Sequence, residues 1–220
     1  MNRKLAWSFC LMTVALCATA ARADFLYSNL GTGTDVYNCC SGWTVSGTGT
    51  LGISFIAANQ FQVTQSGFAR EIDVAVSYVT GVNSFYLNID ADNGGRPGAV
   101  LASFTNLSSA TSFGSCCGLV SIFDVSGLYF QTGIDYWVVI GPMDTTSTTW
   151  EAWNLSNSAQ GLDDYSTDGG LSWVSNGTQP QGAFQILPAY CCGTPEPSAL
   201  WLFSSGMVAA LSVARRLRRR

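Results

Sequence analysis

The sequence predicts an all-β protein: an antiparallel, jelly-roll-like β-sandwich, flanked by an N-terminal signal peptide and a single C-terminal transmembrane helix. Three observations carry this expectation. Apolar side chains alternate with period two along several interior runs, and clusters of Gly, Asn, Asp and Pro separate those runs. Each end of the chain is an apolar stretch with a basic flank.

The N-terminal element comes first. Met1-Asn2-Arg3-Lys4 is a basic start, residues 5–20 are apolar, and Ala21-Arg22-Ala23 is a small-x-small cleavage site. Residues 1–23 therefore read as a signal peptide, with export through the Sec machinery and a mature chain that begins at Asp24.

Residues 24–193 are expected to form one extracellular domain, a length that supports a core of its own. Ile72, Val74, Val76 and Tyr78 fall on one face of an extended chain, and Glu71, Asp73, Ala75 and Ser77 fall on the other. Phe85, Leu87 and Ile89 repeat the pattern, as do Phe61 with Val63 and Phe184 with Ile186. The run 136–140 is apolar throughout, as suits a strand covered on both faces. Thr80-Gly81, Asn93-Gly94-Gly95, Pro97-Gly98, Gln131-Thr132-Gly133 and Asp168-Gly169-Gly170 mark turns between runs. Together these signals predict about nine strands.

Charge narrows the function classes. Between the two ends stand thirteen Asp and Glu against two cations, Arg70 and Arg96, for a net charge near −11. Phosphate backbones require clustered Lys and Arg, so nucleic acid is excluded as a partner. Cations or neutral polymers such as glycans fit better. The chain has no histidine, which removes Ser-His-Asp and Cys-His centres and His-based metal sites. Paired carboxylates could still hydrolyse a glycosidic bond, and Glu151 with Asp163 or Asp164 is the pair to consider. So acidic a chain always offers such pairs. The expectation is therefore no catalytic residue, no enzyme and no cofactor.

Three smaller features remain in the body. Asp90-Ala91-Asp92-Asn93-Gly94-Gly95 begins like a calcium loop, but Gly94 and Leu101 stand where further ligands belong. A glycine-rich turn is the expected role, with a weak calcium site at Asp90 and Asp92 as the alternative. Ser166-Thr167-Asp168-Gly169-Gly170-Leu171-Ser172-Trp173 resembles an Asp-box hairpin. That resemblance implies a carboxylate tying down its own turn and a Trp packed beneath. Trp150 and Trp153 are candidate glycan contacts among the aromatics Trp43, Trp173 and Tyr165. Being three apart, they face opposite ways on a regular strand, so at most one is exposed.

Of the eight cysteines, Cys10 and Cys17 leave with the signal peptide. Six remain as doublets: Cys39-Cys40, Cys116-Cys117 and Cys191-Cys192. Adjacent residues on a strand point to opposite faces, and a bond between neighbours closes a strained ring, so disulfides are expected between doublets. Zinc binding suits adjacent cysteines poorly. Crosslinks between chains remain open.

The last element is the tail, residues 194–220. It combines Pro195-Glu196-Pro197, an apolar segment over residues 198–214, and Arg215, Arg216, Arg218, Arg219 and Arg220. A helix over 199–214 is roughly 24 Å long at ~1.5 Å per residue, and reaches a span of ~30 Å when its flanks join and the arginines extend toward the headgroups. Those arginines hold their end in the cytoplasm, with the body outside.

The order of these three parts resembles the PEP-CTERM sorting signal. That resemblance implies export by a Gram-negative bacterium and recognition of Pro195, Glu196 and Pro197 by an exosortase-type enzyme. The membrane-anchored precursor is then processed, and the body passes to the cell surface or exopolysaccharide matrix. In the body, Gly42-Trp43-Thr44-Val45-Ser46-Gly47, the 89–98 segment, Tyr136-Trp137-Val138-Val139 and Gly182-Ala183-Phe184-Gln185-Ile186 resemble the choice-of-anchor domains of type R. These imply a surface domain with no established enzymatic activity, so the expected function is a surface or biofilm-matrix protein. A lectin-like carbohydrate-binding module is the alternative.

Overall fold

Where one face of a run is buried, the alternation folds as expected. The structure is a computed structural model that describes residues 25–125 and 127–189. The signal peptide, the tail with Pro195, Glu196, Pro197 and its arginines, and Cys191 and Cys192 lie outside the described residues. Among the described residues, no helix is long and apolar enough to cross a membrane.

The described body is almost entirely β, in two sheets. The smaller sheet runs β1 (Tyr27–Ser28), β14 (Phe184–Pro188), β4 (Gly67–Val74) and β10 (Tyr129–Phe130), with β9 (Val120–Phe123) also beside β4. The larger runs β7 (Pro97–Leu107), β6 (Phe85–Asp92), β11 (Asp135–Pro142), β3 (Ile56–Gln62), β12 (Trp150–Ser166), β5 (Val76–Thr80) and β8 (Thr111–Ser112). Alongside β12 also lie β2 (Asn38–Ser46) and β13 (Val174–Gly182). A single turn of helix, α1 (Thr48–Leu51), sits between β2 and β3.

The described strands thus number fourteen rather than about nine, and β5 pairs with β8 in parallel, so the pairing is not wholly antiparallel. The additional strands are short, or polar enough to show no alternation. Examples are β10, with two residues, and β13, which reads VSNGTQPQG.

The core lies between the sheets. Phe85, Leu87, Ile89, Phe184 and Ile186 are each 0 % exposed, and Phe61 and Val63 join the same cluster. The 136–140 run is covered on both faces, as expected. Tyr136, Val138 and Ile140 enter the main core, while Trp137 and Val139 pack on the other face with Ile56 and Ala58.

The alternation over 71–78 belongs to two strands. Ile72 and Val74 lie on β4 in the smaller sheet, whereas Val76 lies on β5 in the larger. Ala75 is the corner: its N–H donates to the Ala183 carbonyl, and its carbonyl accepts from Asn154 N–H. A strand that changes sheets in a sandwich keeps the same face inward, so the pattern continues through the corner.

β12 also has a hidden bulge. Its first half pairs antiparallel with β2 and its last four residues pair antiparallel with β3. Those two strands are themselves antiparallel at Ser46 and Phe55. Between the two parts, residues 156–159 stand opposite Gln181 of β13 alone, since Leu155 pairs with Gly182 and Gln160 with Pro180, and the Ser156 hydroxyl oxygen there accepts from the N–H groups of Ser158 and Ala159 and donates to the Asn29 carbonyl.

Candidate functional site

The sulfur chemistry begins where β2 starts. Cys39 is bonded to Cys116, with Cα atoms 5.4 Å apart and 77 residues of separation. This is a bond between doublets, as the geometry of adjacent residues requires. It closes a long loop across the body, worth about 2 to 4 kcal/mol. Cys40 carries an exposed free thiol 3.9 Å from the Cys39 sulfur, and Cys117 a partly buried one that donates to the Thr34 carbonyl. Around them Tyr37, Ala75 and Ala183 form a small apolar cluster against which Cys39 and Cys117 pack.

The Asp-box hairpin behaves as its sequence implies. Asp168 accepts from the Ser172 N–H at 2.9 Å and the Ser172 hydroxyl at 2.5 Å, and also from the Ser166 hydroxyl at 2.8 Å. The Ser172 and Ser166 bonds hold its carboxyl down at about 2. Trp173 packs on the Ile56, Ala58, Trp137 and Val139 cluster beneath. Because the folded-state value is depressed from 3.8, this stabilisation is present above that pH and lost as pH falls through about 2. Asp168→Ala is expected to lower the melting temperature and red-shift tryptophan emission as Trp173 loses its seat, with Asp168→Asn intermediate. An unchanged emission spectrum in Asp168→Ala would contradict the role.

Asp92 likewise serves its own turn. Its oxygens accept from Trp137 Nε1 at 2.8 Å, Gln60 Nε2 at 2.9 Å and Gly95 N–H at 3.1 Å. Burial would raise its carboxyl, but the bonds from Trp137, Gly95 and Gln60 outweigh it and the net direction is down. Gly94 and Gly95 take the positive φ angles the turn needs, 66° and 84°. Asp90 is buried on the same strand, and desolvation pushes it up to about 6. Among the described residues, no group of three or more metal-capable side chains converges.

Glu151, Asp163 and Asp164, the carboxylates considered for hydrolysis, all lie on β12. Glu151 and Asp164 are 0 % exposed and Asp163 is 1 %, so none of the three meets a substrate. Asp163 instead bridges strands, accepting from Asn59 Nδ2 at 2.8 Å and Asn176 Nδ2 at 2.5 Å.

Trp153 must be corrected as a glycan contact. It is 0 % exposed in the main core, and its Nε1 donates to the Ala183 carbonyl at 3.2 Å. Trp150, three residues earlier on β12, is half-buried. The exposed rings lie elsewhere: Phe123 is 67 % exposed, and Phe68 and Tyr129 are each 49 % exposed. Tyr129 and Phe123 lie on strands of two and four residues, too short for a search for alternation, and Phe68 lies before the register shift in β4. A signal was present nonetheless, since Val120 and Ile122 facing inward leave Phe123 facing out.

No family model, no curated protein and no solved structure matches the chain.

Proposed function

We propose that this chain is an exported, non-enzymatic surface or exopolysaccharide-matrix protein, built on a jelly-roll-like domain and sorted through its Pro-Glu-Pro tail. The observation that carries the reading is the Cys39–Cys116 disulfide. Such bonds persist in oxidising compartments outside the cytoplasm and are reduced within it. The basic and apolar N-terminus and the three-part tail support the same route: Sec export, a membrane-anchored precursor, then processing by an exosortase-type enzyme. The body has no histidine, and the carboxylates considered for hydrolysis are buried. Its role is thus structural or adhesive in the extracellular layer of a Gram-negative bacterium.

The test is intact mass and cell fractionation of the protein in its native host, wild type against Glu196→Ala. Sorting predicts that the wild type loses its tail and reaches the surface or matrix, and that Glu196→Ala keeps the tail and stays in the membrane. If both forms keep the tail in the membrane fraction, the segment is an ordinary anchor and the matrix role falls. A second reading, a carbohydrate-binding module, is favoured by one observation, the exposed Phe68, Tyr129 and Phe123.

A further inference from the structure

The outer face of the smaller sheet puts aromatic rings and polar side chains side by side. Tyr129 on β10 is directly opposite Phe68 on β4, with ring centroids 4.9 Å apart in an edge-to-face arrangement. Phe123 on β9 is opposite Glu71, three residues further along β4, or roughly 10 Å from the first pair. Exposed Arg70 lies between the two and is ion-paired with Glu71 at 3.3 Å. Beyond Phe123 the face turns polar: the Ser121 hydroxyl and Gln185 Nε2 both donate to Asp73, at 2.5 and 2.7 Å.

We propose that this face is a binding platform for a neutral polysaccharide, with Phe68, Tyr129 and Phe123 as its stacking residues. The proposal rests on the carbohydrate-binding reading above and gives it a location. Sugar rings present apolar C–H faces that cover aromatic side chains, and a rim of hydroxyls that both donate and accept hydrogen bonds. Glu71 has acceptor capacity beyond its pairing with Arg70, since a carboxylate offers about four lone-pair sites. The amide oxygen of Gln185 and the exposed Ser121 hydroxyl add to that set. A purely apolar partner, such as a second protein face or lipid tails, would bury the Arg70–Glu71 pair without replacing its water, which is unfavourable. A sugar replaces that water with hydroxyls.

Charge selects the kind of polymer. The body carries only two cations against thirteen acids, and on this face Arg70 is already paired with Glu71. No surplus positive charge is available to meet uronates or phosphates, and the net field of the body repels them. An uncharged glycan avoids that repulsion.

The experiment is a pull-down of the full chain in non-ionic detergent on insoluble cellulose and β-1,3-glucan, both neutral, and on anionic alginate gel. The wild type is expected to be retained on a neutral polymer and not on alginate. Phe123→Ala and Tyr129→Ala should each weaken retention about fivefold or more, with melting temperatures unchanged because both rings are exposed, while Trp150→Ala has no effect. Retention lost in Trp150→Ala but kept in Phe123→Ala and Tyr129→Ala overturns the platform and leaves the carbohydrate-binding reading standing. Absence of retention on both neutral polymers overturns both. So does a wild-type dimer that Phe123→Ala dissolves with no retention, which would assign the face to self-association.

Discussion

Replacing Glu151 by Gln is expected to stabilise the domain at neutral and alkaline pH and to flatten its stability profile between about 4.5 and 8. The side chain sits on β12 opposite Val45 and Tyr78, is 0 % exposed, and neither carboxylate oxygen makes a well-formed hydrogen bond. Burial pushes its carboxyl from 4.5 up to about 8, with the nearby Ser84 backbone offsetting only part of the rise. The folded state therefore holds a proton that the unfolded chain releases near 4.5. Stability is undiminished below that pH and declines as pH rises through the folded value of about 8. At about 1.4 kcal/mol per unit, the full effect is on the order of 5 kcal/mol. At pH 7 most of it is already present, so Glu151→Gln should be more stable than wild type by roughly 2 to 3 kcal/mol once the burial of an amide is allowed for.

Urea unfolding at pH 4.5, 6 and 8 checks this. The two proteins should be close at pH 4.5 and diverge as pH rises. Asp90 and Asp163, both raised to about 6 by burial, should leave the variant a smaller slope of the same sign. Parallel profiles for wild type and variant would show that Glu151 is not the main source of the pH dependence.

How much of this could be read in the sequence depended on how local the cause was. Phe85, Leu87 and Ile89 were legible as a core face because one strand sets their direction. The Asp168 hairpin was legible because its bonds span no more than four residues. The corner at Ala75 was not legible, since a strand that changes sheets carries an unbroken pattern across the change. The bulge within β12 was hidden for a related reason: NLSNSAQGLDDY offers no alternation, and only the register with β13 reveals it.

The same distinction governs the candidate site. Pairing between doublets followed from local geometry, but choosing Cys39 with Cys116 required the β2 start and the loop before β9 to meet in space. In the sequence, Glu151 with Asp163 or Asp164 was a pair by acidity alone. The bulge in β12 puts Glu151 and Asp164 on parts that pair with different neighbours, Glu151 with β2 and β5 and Asp164 with β3 and β13, and burial closes both to solvent. Trp153 and Trp150 differ as the period-two rule says, but that rule cannot tell which of the two faces inward. The alternation of β9 already turned Phe123 outward, but its grouping with Phe68 and Tyr129 came into view only through the register of β4 with β9 and β10.

Gly182→Ala is expected to be among the most destabilising single substitutions in the domain. A Cβ at this position would lie 2.1 Å from Trp153 Cε2, 2.3 Å from Cδ2 and 2.5 Å from Nε1. Trp153 cannot withdraw, because it is fully buried, hydrogen-bonded to the Ala183 carbonyl, and set against Phe184 with ring centroids 6.1 Å apart. Nor can the backbone move freely. The Gly182 N–H donates to Asn59 Oδ1 at 2.6 Å, and its carbonyl accepts from Asn29 Nδ2 at 2.9 Å. Overpacking of this kind usually costs about 1 to 3 kcal/mol and exceeds that where neither partner can shift. Against a total of about 5 to 15 kcal/mol, Gly182→Ala should leave a measurable fraction unfolded at 37 °C.

Trp153→Ala, the opposite change at the same contact, should cost about 3 to 5 kcal/mol by opening a cavity. The informative variant is the double one, Gly182→Ala with Trp153→Phe. A smaller ring makes room for the added methyl, so the pair should be more stable than the sum of the single effects by at least about 1 kcal/mol. Denaturant unfolding of the four proteins in the cycle measures that coupling directly. Strict additivity would mean that the glycine is demanded by something other than the indole.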